Sequence, residues 1–191
     1  DSPIEIGNHT KELFYIDGIE HELAVISKLP TPIEWIKSHI IQIVNQMKQF
    51  WQDDLPYDRY VFILLIEEGQ HGGLEHARCN VSAADPSCFE SDSAAIGLLS
   101  LLVHEYFHAW NIKRIRPIEY GPFDYHKENY STMLWLAEGI TSYYDDYLTF
   151  RCGFFGLQDY VFQVLANKIN QLYHAPGRFA MSVADSSKSA W

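Results

Sequence analysis

Residues 93–112 read SAAIGLLSLLVHEYFHAWNI, and their spacing decides how the rest of the chain is read. Ile96, Leu98, Leu99, Leu101, Leu102 and Val103 leave no polar face, which predicts a helix buried through a core. Within it, His104 and His108 stand four residues apart and turn to nearly the same face, where both imidazoles reach one metal ion. Glu105 projects beside that metal, where it can hold and deprotonate a water. A catalytic zinc takes three protein ligands and keeps one position open. Leu134-Trp135-Leu136-Ala137-Glu138-Gly139 offers the third: Glu138 is a lone carboxylate in an apolar stretch. A buried unpaired carboxylate is costly, so Glu138 is expected to be buried and to need a cation. A solvated turn is the plain alternative.

Upstream of that helix the signals are mostly β. Leu13 to Ile16 and Ile19 to Ile26 flank Asp17-Gly18, a two-residue hairpin signal. Thr31-Pro32-Ile33-Glu34 has the order of an N-cap, a first-turn proline and a capping-box glutamate. Ile33, Ile36, Ile40, Ile43, Val44, Met47 and Phe50 follow at helical spacing, predicting an amphipathic helix over 32–51. Arg59 to Glu68 is a continuous apolar run and reads as a buried strand. Leu74 to Val81 reads as a return strand at a sheet edge. Downstream, Leu134 to Phe150 and Gly156 to Tyr173 predict helices, and the tail after Pro176 is polar and small. Residues 1–81 are mostly β with one helix and 82–191 mostly helical, so the class is α+β.

The chain has 191 residues, 47% apolar and 15% aromatic, enough for one substantial core. A net charge of -11 leaves no basic surplus to neutralise phosphates, which argues against nucleic acid as a partner. Cys79, Cys88 and Cys152 lack paired zinc spacings and read as free thiols in a reducing compartment; the location is not legible, with the unpaired cysteines slightly favouring the cytoplasm. No stretch reaches the roughly 18 uninterrupted apolar residues that span a bilayer. A chain that starts at Asp1 is expected to be a piece of a longer protein.

His104 to Pro117 (HEYFHAWNIKRIRP), Gly121 to Tyr125 (GPFDY) and Leu134 to Tyr144 (LWLAEGITSYY) resemble the glycyl aminopeptidase family of zinc metallopeptidases. Asp1 to Gly7 (DSPIEIG) and Leu55 to Tyr60 (LPYDRY) extend the resemblance through the chain. It implies a partial thermolysin-like catalytic domain over 1–191, without the β-rich and PDZ domains that accompany it in the family. It also implies one zinc per chain on His104, His108 and Glu138, with Glu105 as general base and later proton donor. In thermolysin-like enzymes an aspartate four residues after the glutamate ligand orients the first histidine. That position is Ser142 here, which leaves the role open between Asp145 and Asp146.

Gly72-Gly73-Leu74-Glu75-His76 resembles the amine-recognition segment of alanyl-type aminopeptidases. Glycines permit close backbone approach, an edge strand pairs with an extended peptide, and Glu75 would hold the substrate's terminal ammonium. A hairpin turn with an exposed glutamate is the alternative. Tyr143 and Tyr144 are candidate donors to the reaction's oxyanion, although their spacing equally suits core packing; in the family the better donor lies beyond Trp191. Lys113, Arg114 and Arg116 suit a helix C-terminus, where cations meet the macrodipole. The resemblance makes peptides with small first residues, Gly and Ala, the substrates. A zinc-containing peptide-binding domain with impaired catalysis and a zinc endopeptidase are the other readings. The oligomeric state is not legible.

Overall fold

Asp17 and Gly18 both take positive φ, 51° and 79°, the backbone that a type I′ turn requires. They join β1 (Thr10–Ile16) to β2 (Ile19–Ser27), with Ile16 opposite Ile19, as the Asp-Gly signal predicts. The computed structural model describes residues 3–124 and 126–190. Asp1, Ser2, Tyr125 and Trp191 lie outside the described residues, and with them the ends of two motifs quoted above.

Strand β3 (Arg59–Ile66) pairs with β2 in parallel, which demands a crossover, and α1 (Ile33–Trp51) supplies it. β5 (Cys79–Ala84) lies parallel to β3, and β4 (His71–Glu75) lies antiparallel outside β5. The sheet is therefore mixed, ordered β1-β2-β3-β5-β4, with strands preceding most of the helices. The class is α+β, as the sequence predicts. The single return strand expected over 74–81 is instead two strands. Glu75 ends one and Cys79 begins the other, with His76 N–H donating to the Cys79 carbonyl at 2.9 Å. No glycine or proline marks that reversal, so the sequence gives no warning of it.

Along β3 the burial alternates. Tyr60, Phe62, Leu64 and Ile66 are buried, whereas Val61, Ile63 and Leu65 are only partly covered. The apolar run thus reflects one face packed under helices, not a strand buried on both sides. Ile36, Ile40, Ile43, Val44 and Met47 of α1 meet that face. Each fully buried side chain of this size contributes about 1.5–3 kcal/mol. The predicted capping box does not form: Pro32 holds the cap position and the Thr31 hydroxyl donates to the Leu29 carbonyl at 3.1 Å. Glu34 pairs instead with Lys37 at 2.6 Å.

Helix α2 (Asp92–Phe107) is capped by Ser91, whose Oγ accepts from Ala94 N–H at 3.2 Å. It lies over β4 and β5 and against the helix that follows, with Leu98, Leu102, Val103, Tyr106 and Phe107 in the core. It stops at Phe107, not at residue 112, because the chain turns after His108: the His108 carbonyl accepts from Ile112 and Lys113 N–H. The helix expected from Leu134 opens with a π-helical turn, Trp135–Gly139, which runs into α3 (Ile140–Arg151). The next helical run is α4 (Leu157–Asp159), a second π turn (Tyr160–Leu165) and α5 (Ala166–His174).

The tail is not featureless. Within it α6 (Val183–Ser189) docks on the first π turn, where Trp135 N–H donates to the buried Ser187 Oγ at 3.0 Å. Cys79, Cys88 and Cys152 are buried free thiols. Among the described residues no helix is long and apolar enough to cross a membrane.

Candidate metal centre

The last turn of α2 delivers His104 and His108 side by side, ring centroids 4.8 Å apart and nearly perpendicular. The π turn brings Glu138 across to them. Its Oε2 lies 3.2 Å from His104 Nε2 and 3.7 Å from His108 Nε2. Two ligands about 2.05 Å from a tetrahedral zinc stand roughly 3.4 Å apart, so these separations suit a shared cation. Among the described residues, one candidate ligand set is therefore His104, His108 and Glu138.

The far side of each imidazole supports the same reading. His104 Nδ1–H donates to Asp145 Oδ2 at 2.7 Å, and His108 Nδ1–H donates to the Asn111 carbonyl at 2.8 Å. A neutral imidazole that gives its Nδ1 proton to an oxygen keeps its Nε2 lone pair, and both Nε2 atoms face Glu138. Asp145 resolves the question that Ser142 left open. It follows Glu138 by seven residues, two helical turns, and so returns to the same face. Asp146 points elsewhere and pairs with Lys168.

The electrostatics follow from the crowding of charge. Burial opposes a charge on His104, but hydrogen bonds to Asp145 and Glu138 outweigh it and push the imidazole up to about 10. Hydrogen bonds from His104 and His108 hold Glu138 down to about 2. Burial raises the Asp145 carboxyl despite its bond to His104. A divalent cation bound here would displace the His104 proton, so its affinity would fall as pH drops.

Glu138 departs from expectation in one respect. Its side chain is 47% exposed, whereas His108 is 1% exposed. The carboxylate sits at the open rim of the cluster, on the π turn. Such turns occur frequently at functional sites.

Glu105 is 4% exposed, and a carboxylate oxygen of it lies within 4.8 Å of ligand atoms of Glu75 and His108. Burial pushes it up to about 7, against the pull of both histidines and with help from the negative charges of Glu75 and Glu138. Gly73 explains how a carboxylate fits beneath the edge strand. A Cβ on Gly73 would overlap the end of the Glu105 side chain, Cγ included. Gly72, at φ +127°, supplies the backbone conformation that other residues rarely adopt. The close approach at Gly73 is thus made by Glu105. Glu75 is largely covered and its carboxylate meets Lys113 at 3.1 Å, so it is not the exposed glutamate of a bare turn.

The ring contacts of the two tyrosines include packing against neighbouring aromatics. Tyr144 stacks on Phe107 (5.4 Å, 18°) and adjoins Phe50, facing the core. Tyr143 is 52% exposed, lies edge-on to Tyr144 and hydrogen-bonds Tyr160. Residues that sequence reasoning passed over include Asn111, whose Nδ2 donates to the carbonyls of Leu136 (3.1 Å) and Ala137 (3.3 Å) and to Thr141 Oγ1 (3.0 Å). Its only signal was an amide inside the otherwise apolar stretch Ala109-Trp110-Asn111-Ile112.

Fold and site together define an α+β domain with two histidines and two glutamates gathered where a helix meets a sheet edge. The sequence profile of the M61 glycyl aminopeptidase family matches residues 97–191, the half that carries the cluster. A crystal structure of an aminopeptidase N family protein from Idiomarina loihiensis superposes with a TM-score of 0.89 at 30% identity. That alignment covers 97% of this chain and 32% of the other, so the chain spans about a third of its structural relative. No curated protein sequence matches the chain. Profile and structure assign the chain to the glycyl aminopeptidase family.

Gly73→Ala tests the tight fit at the edge strand. The added methyl is expected to drive the Glu105 carboxylate away from His108 and to cost the about 1–3 kcal/mol typical of overpacking. A crystal structure of the variant with Glu105 unmoved would contradict the account.

Proposed function

We propose that this chain carries the catalytic centre of a zinc-dependent aminopeptidase, thermolysin-like in arrangement, that removes small N-terminal residues from peptides. The observation that carries the reading is the convergence of His104 Nε2, His108 Nε2 and Glu138 Oε2 at 3.2 and 3.7 Å, with Glu105 beside them. Bound zinc would polarise the scissile carbonyl and lower the pKa of its water to about 7.

The rest falls to the chain's own groups. Glu105 accepts the proton of the attacking water on a carboxylate oxygen and returns it to the leaving nitrogen. Its burial suits the task, since a carboxyl pushed up to about 7 exchanges protons near neutrality. Asp145 and the Asn111 carbonyl hold the two imidazoles in the tautomer that keeps each Nε2 available. β4 is an edge strand among the described residues, and its outer side could pair with an extended substrate backbone. Glu75 sits next to Glu105 and would anchor the terminal ammonium, which fixes the cut after the first residue. The preference for glycine and alanine rests on the family assignment.

One rival has an observation in its favour. The ion pair with Lys113 already engages Glu75, as expected of an endopeptidase that needs no free amine. Gly- and Ala-terminated chromogenic amides, free and N-acetylated, separate the two in zinc-loaded protein. The aminopeptidase cleaves only the free-amine substrates and stops with chelator. Equal cleavage of acetylated substrates would establish the endopeptidase, and no cleavage at all would leave a peptide-binding domain. Glu105→Gln should lower kcat by about a hundredfold or more with zinc content unchanged; undiminished turnover would remove Glu105 as the base.

A further inference from the structure

The two halves of the proposed ligand set come from separate segments. His104 and His108 close α2, while Glu138 sits on the π turn before α3. A metal site tolerates little error in the distance between such halves, because each ligand must lie within a few tenths of an ångström of its bond length. One buried side chain spans the gap. Asn111 is 5% exposed, and its main-chain carbonyl accepts the Nδ1 proton of His108 at 2.8 Å. Its side-chain amide meanwhile donates to the Leu136 and Ala137 carbonyls and to Thr141 Oγ1 at 3.0–3.3 Å.

The carbonyls it takes belong to the wide turn itself. The end of that turn is closed by a bond from Ile140 N–H back to Trp135 O, five residues apart instead of four. A turn so widened has five-residue bonds in place of the regular ladder, and two of its carbonyls also take partners from outside it. Asn111 supplies them at the two residues immediately before Glu138. Thr141 Oγ1 adds a donation to Ala137 O at 2.6 Å from the following turn.

We propose that Asn111 is a positioning residue that fixes the distance between the histidine pair and Glu138, and thereby sets metal affinity. This rests on the metal reading above. Asn111 touches none of the reacting atoms. It acts through Glu138 by holding the backbone that carries it, while its own carbonyl orients His108.

The test is zinc affinity, measured by competition with a chromophoric chelator in the wild-type protein and in Asn111→Ala. Removing the amide leaves the main-chain carbonyl in place, so the loss should fall on the Glu138 side. The dissociation constant is expected to rise about tenfold to a hundredfold, the usual effect of losing an outer hydrogen-bond partner of a metal ligand. In a Glu138→Ala background the same substitution should change affinity less than about threefold, because the ligand it positions is gone. Should Asn111→Ala fail to fold, Asn111→Ser, which keeps one hydroxyl donor, goes through the same cycle with a smaller loss expected. Affinity within twofold of wild type, or an equal loss with and without Glu138, would overturn the proposal. His104→Ala is the control for the site itself: unchanged zinc binding there refutes the metal reading as a whole. Tight, His104-dependent binding that ignores Asn111 refutes only the positioning role.

Discussion

Two imidazole nitrogens and a carboxylate oxygen, all electron-rich, are held within 4.8 Å of one another, and much of the surrounding structure serves to keep them there. A positive charge among such groups relieves their mutual repulsion. Asp145 and Glu138 favour a proton on His104, and a divalent cation would offer more positive charge in the same place. The helix that presents the histidines is buried over its second half, where Tyr106 packs on Phe62 of the central strand. The cost of confining ionisable groups beside a core is offset by that packing and by the hydrogen bonds behind each ring.

The same crowding explains the second layer. Glu75, Glu105 and Glu138 would repel one another in a small volume, and Lys113 sits at Glu75 as a partial counter-charge. It also follows the turn after His108, so the cation expected merely to meet a helix dipole is a partner of the site. Glu105 is enclosed beneath Gly73, and burial raises its proton affinity against the pull of His104 and His108. Gly73 thus sets how closely the edge strand approaches Glu105, which in turn lies beside His108.

Much of this was legible in the sequence because it is local. A four-residue histidine spacing, an Asp-Gly turn and a stripe of isoleucines each impose their geometry within a few residues. What escaped depends on distant parts of the chain or on small departures from regular structure. The reversal at His76 carries no glycine or proline, so β4 and β5 looked like one strand. The Thr31–Glu34 capping box lost to bonds that Thr31 and Glu34 make elsewhere. The π turn at Glu138 has no residue signature. Asp145 was one of two aspartates whose spacing alone could not choose between them, and Lys168 decides it by taking Asp146. Asn111 and Ser187 act across 25 and 52 residues of sequence, a separation at which local periodicity is silent.

On the reading proposed above, these three side chains would bind one zinc ion with nitrogen and oxygen donors. X-ray absorption at the zinc edge of stoichiometrically loaded protein tests it most directly. The account requires a first shell of nitrogen and oxygen at about 2.0–2.2 Å with two imidazoles, collapsing when His104 or His108 is replaced by alanine. A sulfur shell at about 2.3 Å, or a spectrum indifferent to both histidines, would contradict it.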